Sequence, residues 1–385
     1  MHKSLPTYKK QFLLLIKLFL AAKKKWSKPE KKDFLIIDIR YSHLLLRYID
    51  KKNINILPTR GEEINLYVVF YCLFNFNIKE LALSYINAYI KITKPKCCIT
   101  LNHAKASFYK IKKFNKNLTT IAFQNGHTHL KDPNNKFVSF LKKKKINKVL
   151  NADHILTHNN FFNKNLFNRY IKGKTHVVGS FRNNYFFKKD FTQSKRKSIA
   201  YISQFRLHVL VKNISNKVFY DTERKILPQL HNFCKKNKFN LEILGSEWAP
   251  SKEKKFYADI FKNNDWTFRK RTIKNLSYYH TDKVEIVVFV DSNLGFESLA
   301  RGNKTVSFNF RKNFHSSYNK FGLDFLKERG KFWTTLDTEA EFNRIMNYVK
   351  KTSAKQWHED NILTINQIMG YDPNNLYFQK ILSNI

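Results

Sequence analysis

The feature that most constrains this fold is an alternation, run through twice, of short β-rich apolar segments with longer helical ones. Strands buried on both faces read as near-continuous runs of Val, Ile and Leu, and the segments between them must supply helices that cover both faces of a parallel sheet. In the first series the strand runs are 33–39, 54–58, 97–101, 118–123, 154–157 and 176–178. Helices are expected near 42–50, in a Lys-rich stretch holding Phe108 and Tyr109, and over 64–92, ending before Pro95 because the residue ahead of a proline avoids the α region. The second series restarts at 198–203 and continues with strands at 241–245, 266–268, 285–290 and 305–308, a helix at 221–238 and another at 295–300. A chain of 385 residues also exceeds what one hydrophobic core usually serves. The reading is an α/β protein of two parallel-sheet domains, 31–187 and 198–345, joined by a basic polar linker at 188–197 and followed by helices, 346–385, that pack back across both.

Charge points elsewhere, but weakly. The chain carries 71 Lys+Arg against 29 Asp+Glu, a formal +42, which suits nucleic acid or an anionic membrane surface. Lys, Asn, Phe, Ile and Tyr are inflated while Gly (10), Pro (8) and Met (3) are scarce, the pattern an AT-rich genome imposes on all its proteins. A nucleic-acid groove would need clustered cations interleaved with exposed rings. Here the lysines are scattered and most aromatics lie in apolar runs, so core packing accounts for them better. The four cysteines (Cys72, Cys97, Cys98, Cys234) have neither zinc spacing nor a disulfide pattern, which fits a reducing cytoplasm. At the N-terminus, residues 12–22 are too short an apolar run to span a bilayer. Flanked by lysines, the segment 1–30 reads either as a helix lying on an anionic membrane surface or as one packed on its own domain.

Scarcity makes the surviving glycines informative. Gly126, Gly179, Gly245, Gly295 and Gly302 each follow an apolar run or close a helical one, where a chain needs positive φ or close backbone approach. The segment Asp291-Ser292-Asn293-Leu294-Gly295-Phe296-Glu297-Ser298 is the most telling, because it follows a buried strand and opens a helix. Its unpaired N–H groups and positive dipole end belong at the carboxyl edge of the sheet, the place for a phosphate. Ser292 and Asn293 can cap the helix or donate to that phosphate, Gly295 lets a ligand approach the backbone, and Glu297 can accept from ribose hydroxyls. An ordinary strand-to-helix connection with a serine cap has the same pattern.

The run Ser292-x-x-Gly295-x-Glu297-Ser298-Leu299-x-x-Gly302-x-x-x-Val306 resembles the donor-nucleotide motif of GT-B glycosyltransferases, enzymes of two Rossmann-like domains facing across a cleft. It is similar above all to bacterial capsule and lipopolysaccharide transferases, including Kdo transferases. Residues 121–126, 178–184, 201–206 and 330–334 resemble the same group, so the likeness spans roughly 33–350. It implies a donor nucleotide held by the second domain, with Ser292, Asn293, Gly295 and Glu297 on its phosphate and ribose, and an acceptor held largely by the first; Ser203, Arg206, Gly245 and Ser298, at strand ends and in the same helix, are further donor-site candidates. The implied partners are a nucleotide sugar and a glycan or lipid-linked glycan, with no metal or other cofactor and no nucleic acid, at the inner face of the plasma membrane. The His-Pro pair common near the donor in Kdo and sialic acid transferases does not occur here, which leaves a CMP-linked donor an open choice.

The cleft-facing loop Gln124-Asn125-Gly126-His127-Thr128-His129 offers amides for sugar hydroxyls and, in His127, an imidazole able to move a proton near neutral pH. A structural turn fits equally, and metal binding by His127 and His129 would have only Asp132 nearby for support. Arg206 can neutralise a leaving phosphate, or simply be solvated, and Arg182 and Asn183 stand where they could reach the cleft. Asp38, Glu62 and Glu63 are the carboxylates placed to act as base or nucleophile, although Asp38 also suits a structural role. The same scaffold could serve a sugar-nucleotide epimerase or a phosphoglycerol-type polymer transferase.

Overall fold

The computed structural model describes residues 20–75, 80–128, 130, 135–143, 150–187, 196–206, 219–246, 249–262, 265–270, 276–311 and 326–385. The apolar run before residue 20, His129, Asp132 and most of the expected linker lie outside these.

In chain order the strands are β1 (Lys23–Lys25), β2 (Phe34–Ile37), β3 (Ile54–Leu57), β4 (Glu63–Asn65), β5 (Cys97–Thr100), β6 (Thr119–Phe123), β7 (Leu150–Thr157), β8 (Ile171–Val177), β9 (Arg196–Ile202), β10 (Asn240–Leu244), β11 (Trp266–Arg269), β12 (Val284–Phe289), β13 (Thr305–Phe308) and β14 (Trp333–Thr334). They form two six-stranded sheets, ordered β3-β2-β5-β6-β7-β8 and β11-β10-β9-β12-β13-β14, and a two-stranded β1-β4 ribbon. Every pairing in them is parallel. The apolar runs dictate this burial: Leu35, Ile36 and Ile37 on β2, and Ile286 to Phe289 on β12, have no more than a trace of exposure.

Both sheets reverse direction beside their first strand, since β2 lies between β3 and β5 and β9 between β10 and β12. Parallel sheets bind ligands in the crevice that such a switch point opens beyond the carboxyl ends of the strands. Asp38 and the loop after it stand there in the first sheet, and Ser203 and Asp291 in the second.

The principal helices are α1 (Leu66–Asn75), α2 (Leu81–Thr93), α3 (Lys136–Lys143), α4 (Phe181–Tyr185), α5 (Asp221–Asn237), α6 (Pro250–Phe261), α7 (Leu276–Lys283), α8 (Asn293–Ala300), α9 (Glu339–Lys351), α10 (Ala354–Ile368) and α11 (Leu376–Leu382). The helix expected over 64–92 is instead strand β4 followed by α1 and α2. Asn65 sets the boundary, because its Oδ1 accepts from the Val68 N–H at 3.1 Å and so caps α1. The expected helices at 42–50 and around Phe108 are 3-10 turns, Ser42–Arg47 and Phe108–Lys113. Lys23–Lys25, expected within an N-terminal helix, are a strand paired with β4.

The chain returns to the first domain at its end, as the sequence suggested. α9 and α10 pack on the second sheet through Phe342, Ile345, Trp357 and Ile365, whereas Phe378 and Ile381 of α11 join Ile36, Leu44 and Phe123 in a core of the first. The crossing lies at Gly370, whose N–H donates to His158 O at 2.7 Å, and at Tyr371, bridged to Gly179.

Candidate active site

A cavity of about 240 Å³ lies where the two halves meet, walled by Arg40, Tyr41, Gln124, Asn125, Gly126, Ser180 and Arg182 of the first and by Asn293 and Glu297 of the second. The second-domain wall is the start of α8. Ser292 occupies its N-cap (φ −67°, ψ 137°), but the hydroxyl does not close back onto the helix. Gln204 reaches the Ser292 N–H, and the donors and acceptors around its amide assign the oxygen to that N–H (3.0 Å) and the nitrogen to Asp291 Oδ1 (3.1 Å). The turn after β12 is thereby tied to the turn after β9, and the helix presents an uncapped positive end to the crevice.

Asn293 meets the first domain directly: its Oδ1 accepts from the His127 N–H at 3.2 Å. Gly126 makes that approach possible. It sits at φ +91°, and a Cβ there would lie 2.6 Å from Asn293 Nδ2. Gly295 is needed for a different reason from the expected one. A Cβ on it would fall 2.1 Å from the Phe289 ring, so the residue lets α8 pack on β12 rather than admitting a ligand.

Other expected donor contacts turn inward. Ser298 is fully buried and its hydroxyl pairs with Thr305 Oγ1 at 3.0 Å, beneath α8. The Ser203 hydroxyl donates to Glu253 and accepts from Tyr257 OH at 2.7 Å. Gly245, at the end of β10, faces the Phe268 ring. Arg206 does remain exposed, with its backbone N–H donating to Tyr220 OH at 2.9 Å and its guanidinium 5.5 Å from the Phe219 ring centroid.

Glu297, expected to accept from ribose, has both oxygens taken. Oε1 accepts from Ser180 Oγ at 2.6 Å, Oε2 from Tyr278 OH at 2.8 Å, and Arg182 Nη2 lies 3.7 Å from Oε2. Arg182 also donates to Tyr278 OH (3.0 Å) and Tyr41 OH (3.2 Å). Asn183 is fully buried, donating to Glu297 O at 3.3 Å and accepting from Arg301, which is in turn ion-paired with Asp282. Asn183 is therefore a tie between the halves and not an acceptor contact.

None of the three residues expected to be catalytic presents an open reactive atom to the cavity. Asp38 lies at the end of β2 with φ +92°, a costly conformation for a non-glycine residue. Its carboxylate accepts from Arg60 (2.7 and 2.9 Å) and from the Arg40 N–H (3.1 Å), with Lys105 at 3.8 Å. Burial alone would raise its pKa, but these donors and cations hold it below the ordinary carboxylate value. Glu63 lies on the β1–β4 ribbon, ion-paired with Lys25 at 2.9 Å, away from the cavity wall. The His127 ring packs edge-on to Phe296 of α8, centroids 4.2 Å apart.

Beneath the Gln124–His127 loop lie two further histidines that the sequence did not single out. His103 Nδ1 accepts from the Asn125 N–H at 3.0 Å, which fixes the proton on Nε2 and lets it donate to Thr128 Oγ1 at 3.0 Å. Burial depresses its pKa to about 4. Burial, then the neighbouring His103, takes His158 to about 3. Gln124, itself buried, holds the same loop by donating to Gly126 O (3.1 Å) and accepting from His158 N (2.9 Å). Glu253 was also missed; from α6 it accepts from Ser203 and from the Ser246 N–H (2.8 Å), joining the turns that end β9 and β10. Nothing in its Lys-rich surroundings marks it. Among the described residues, no three of His, Cys, Asp or Glu are grouped to hold a metal ion.

Residues 121–385 match a family described as "putative O-antigen biosynthesis protein". No curated protein is significantly similar in sequence. Among solved structures, the Methanocaldococcus jannaschii UDP-GlcNAc 2-epimerase, in complex with UDP-GlcNAc and UDP, is similar with a TM-score of 0.51 at 10% identity over 91% of this chain and 99% of that one. Spinosyn rhamnosyltransferase SpnG, complexed with thymidine diphosphate, gives 0.50 at 10% identity over 91% and 100%. Anabaena Alr3699/HepE, in complex with UDP and glucose, gives 0.50 at 11% over 92% and 100%. These likenesses establish the fold, two facing Rossmann-like domains of the GT-B type, and the family match covers more than half of the sequence: the chain belongs to that O-antigen biosynthesis family.

Proposed function

We propose that the protein is a glycosyltransferase that moves a sugar from a nucleotide-activated donor to a growing surface polysaccharide or lipopolysaccharide. The observation that carries this reading is the uncapped start of α8, at the switch point of the second sheet, opening on a cavity whose opposite wall belongs to the other domain. Backbone N–H groups of the first turn, with Ser292 and Asn293, hold the donor phosphate, and Arg206 at the neighbouring strand end offsets charge on the leaving group. Arg40 and Arg182 line the facing wall and suit an acidic sugar such as Kdo, carried on CMP. Asp38 acts as a positioning residue, holding the Arg40–Tyr41 loop against that cavity through its bond to the Arg40 N–H. The acceptor is lipid-linked or polymeric, which places the enzyme on the inner face of the plasma membrane.

A sugar-nucleotide epimerase is the second reading, because the epimerase and the rhamnosyltransferase are matched equally well by this fold. Incubation with CMP-, UDP-, GDP- and CDP-linked sugars separates the two. Release of the free nucleotide together with a glycosylated acceptor supports transfer, whereas an isomerised sugar still joined to its nucleotide supports epimerisation.

A further inference from the structure

Helix α1 reads Leu66-Tyr67-Val68-Val69-Phe70-Tyr71-Cys72-Leu73-Phe74-Asn75 and contains no charged residue, in a chain that is 26% charged. Leu66, Val68 and Cys72 are buried in the first domain. The opposite side is apolar too: Phe74 is 85% exposed, Phe70 and Leu73 each 53%, and Tyr67 38%. A solvated face in so Lys- and Asn-rich a protein would carry those residues, and a helix apolar all round has a second apolar neighbour.

The other end supplies the charge. β1 pairs with β4, which leads straight into α1, so Lys23, Lys24 and Lys25 stand beside the helix N-terminus. Trp26 follows at 69% exposure, and Lys23 and Lys28 are exposed. Of these cations, Lys25 is paired with Glu63. Exposed aromatics on a short helix, rimmed by lysine and tryptophan, match the chemistry of a bilayer interface with anionic headgroups. At ten residues α1 is too short to cross a membrane, and no helix among the described residues is long and apolar enough to do so.

We infer that α1, with the Lys23–Trp26 segment beside it, seats the first domain on an anionic lipid bilayer, α1 lying in the plane of the interface. This rests on the transferase reading only for its purpose, the capture of a lipid-linked acceptor; the binding itself is independent of any nucleotide.

The test is co-sedimentation of the full chain with vesicles of phosphatidylcholine alone and of phosphatidylcholine with phosphatidylglycerol. The wild type pellets with the anionic vesicles, and Phe70→Ser/Phe74→Ser weakens that binding roughly tenfold while leaving the melting temperature unchanged, since both side chains face solvent. Lys23→Glu/Lys28→Glu weakens it also, in a salt-dependent way. A wild type that ignores anionic vesicles, a double-serine variant that binds as well as wild type, or a wild-type dimer in ultracentrifugation that the serine variant dissolves would each overturn the inference. Failure of the transferase reading would look different: loss of any nucleotide-sugar response with vesicle binding intact.

Discussion

The Ser180 hydroxyl donates to Glu297 Oε1 at 2.6 Å, from the N-cap of α4 in the first domain to the middle of α8 in the second. With Tyr278 on the other oxygen and Arg182 at 3.7 Å, this carboxylate joins the halves at the base of the cavity. Glu297→Ala leaves Arg182, Tyr278 and Ser180 without their shared acceptor and is expected to cost about 3 kcal/mol in denaturant unfolding. Ser180→Ala removes that donor and also the N-cap of α4, where the same hydroxyl accepts from the Asn183 N–H at 3.4 Å, and should cost about 1–2 kcal/mol. The double variant should fall short of the sum, because the residues share one bond; strict additivity would show that they do not act together.

Gly126→Ala tests the other interdomain contact. The substitution forces a Cβ toward Asn293 at a backbone angle that side chains disfavour, for an expected loss of about 1–3 kcal/mol. Adding Asn293→Ala relieves the collision but not the φ strain. Partial recovery of stability is therefore the predicted outcome, and full recovery would mean the backbone conformation carries no cost.

Acid should destabilise the protein in a window set by the buried histidines. His103 and His158 have folded pKa values of about 4 and about 3, below the unfolded value near 6.5. As pH falls below about 6.5 the unfolded chain takes up protons that the folded chain refuses, so stability declines by roughly 1.4 kcal/mol per pH unit for each histidine, down to about pH 4 for His103 and about pH 3 for His158. Asp38, whose pKa is also depressed, adds a loss in the same direction at lower pH. In urea titrations across this range His158→Leu should flatten the slope by about one proton. The His158 ring nitrogens are buried without hydrogen-bond partners, so the variant should lose little stability at neutral pH.

The two sheets were legible because their strands are buried on both faces, which leaves a continuous apolar signature at β2, β5, β6, β9, β12 and β13. The strand-turn-helix at Asp291 to Ser298 was legible for the same reason: a glycine-bearing turn directly follows the most apolar strand. Direction of side chains was not. Ser298, Ser203 and Asn183 have the chemistry of ligand contacts, but helix phase and tertiary packing turn them onto Thr305, Glu253 and Glu297. Arg40 and Tyr41, His158, and Tyr278 reach the junction from three separate segments, and no local spacing announces such a meeting. Short strands escaped as well. β1 is three lysines, a composition that reads as a solvated run until Glu63, Ile64 and Asn65 supply its partner.

Whether the start of α8 holds a donor phosphate is tested by calorimetric titration of nucleotide sugars into the wild type and into Ser292→Asp. Aspartate is as good an N-cap as serine, so α8 and the melting temperature should be preserved, while a fixed negative charge is placed where the donor phosphate must lie. One class of nucleotide sugar is expected to bind the wild type, and Ser292→Asp to bind it at least about tenfold more weakly. Equal affinity for both proteins would contradict a phosphate site there.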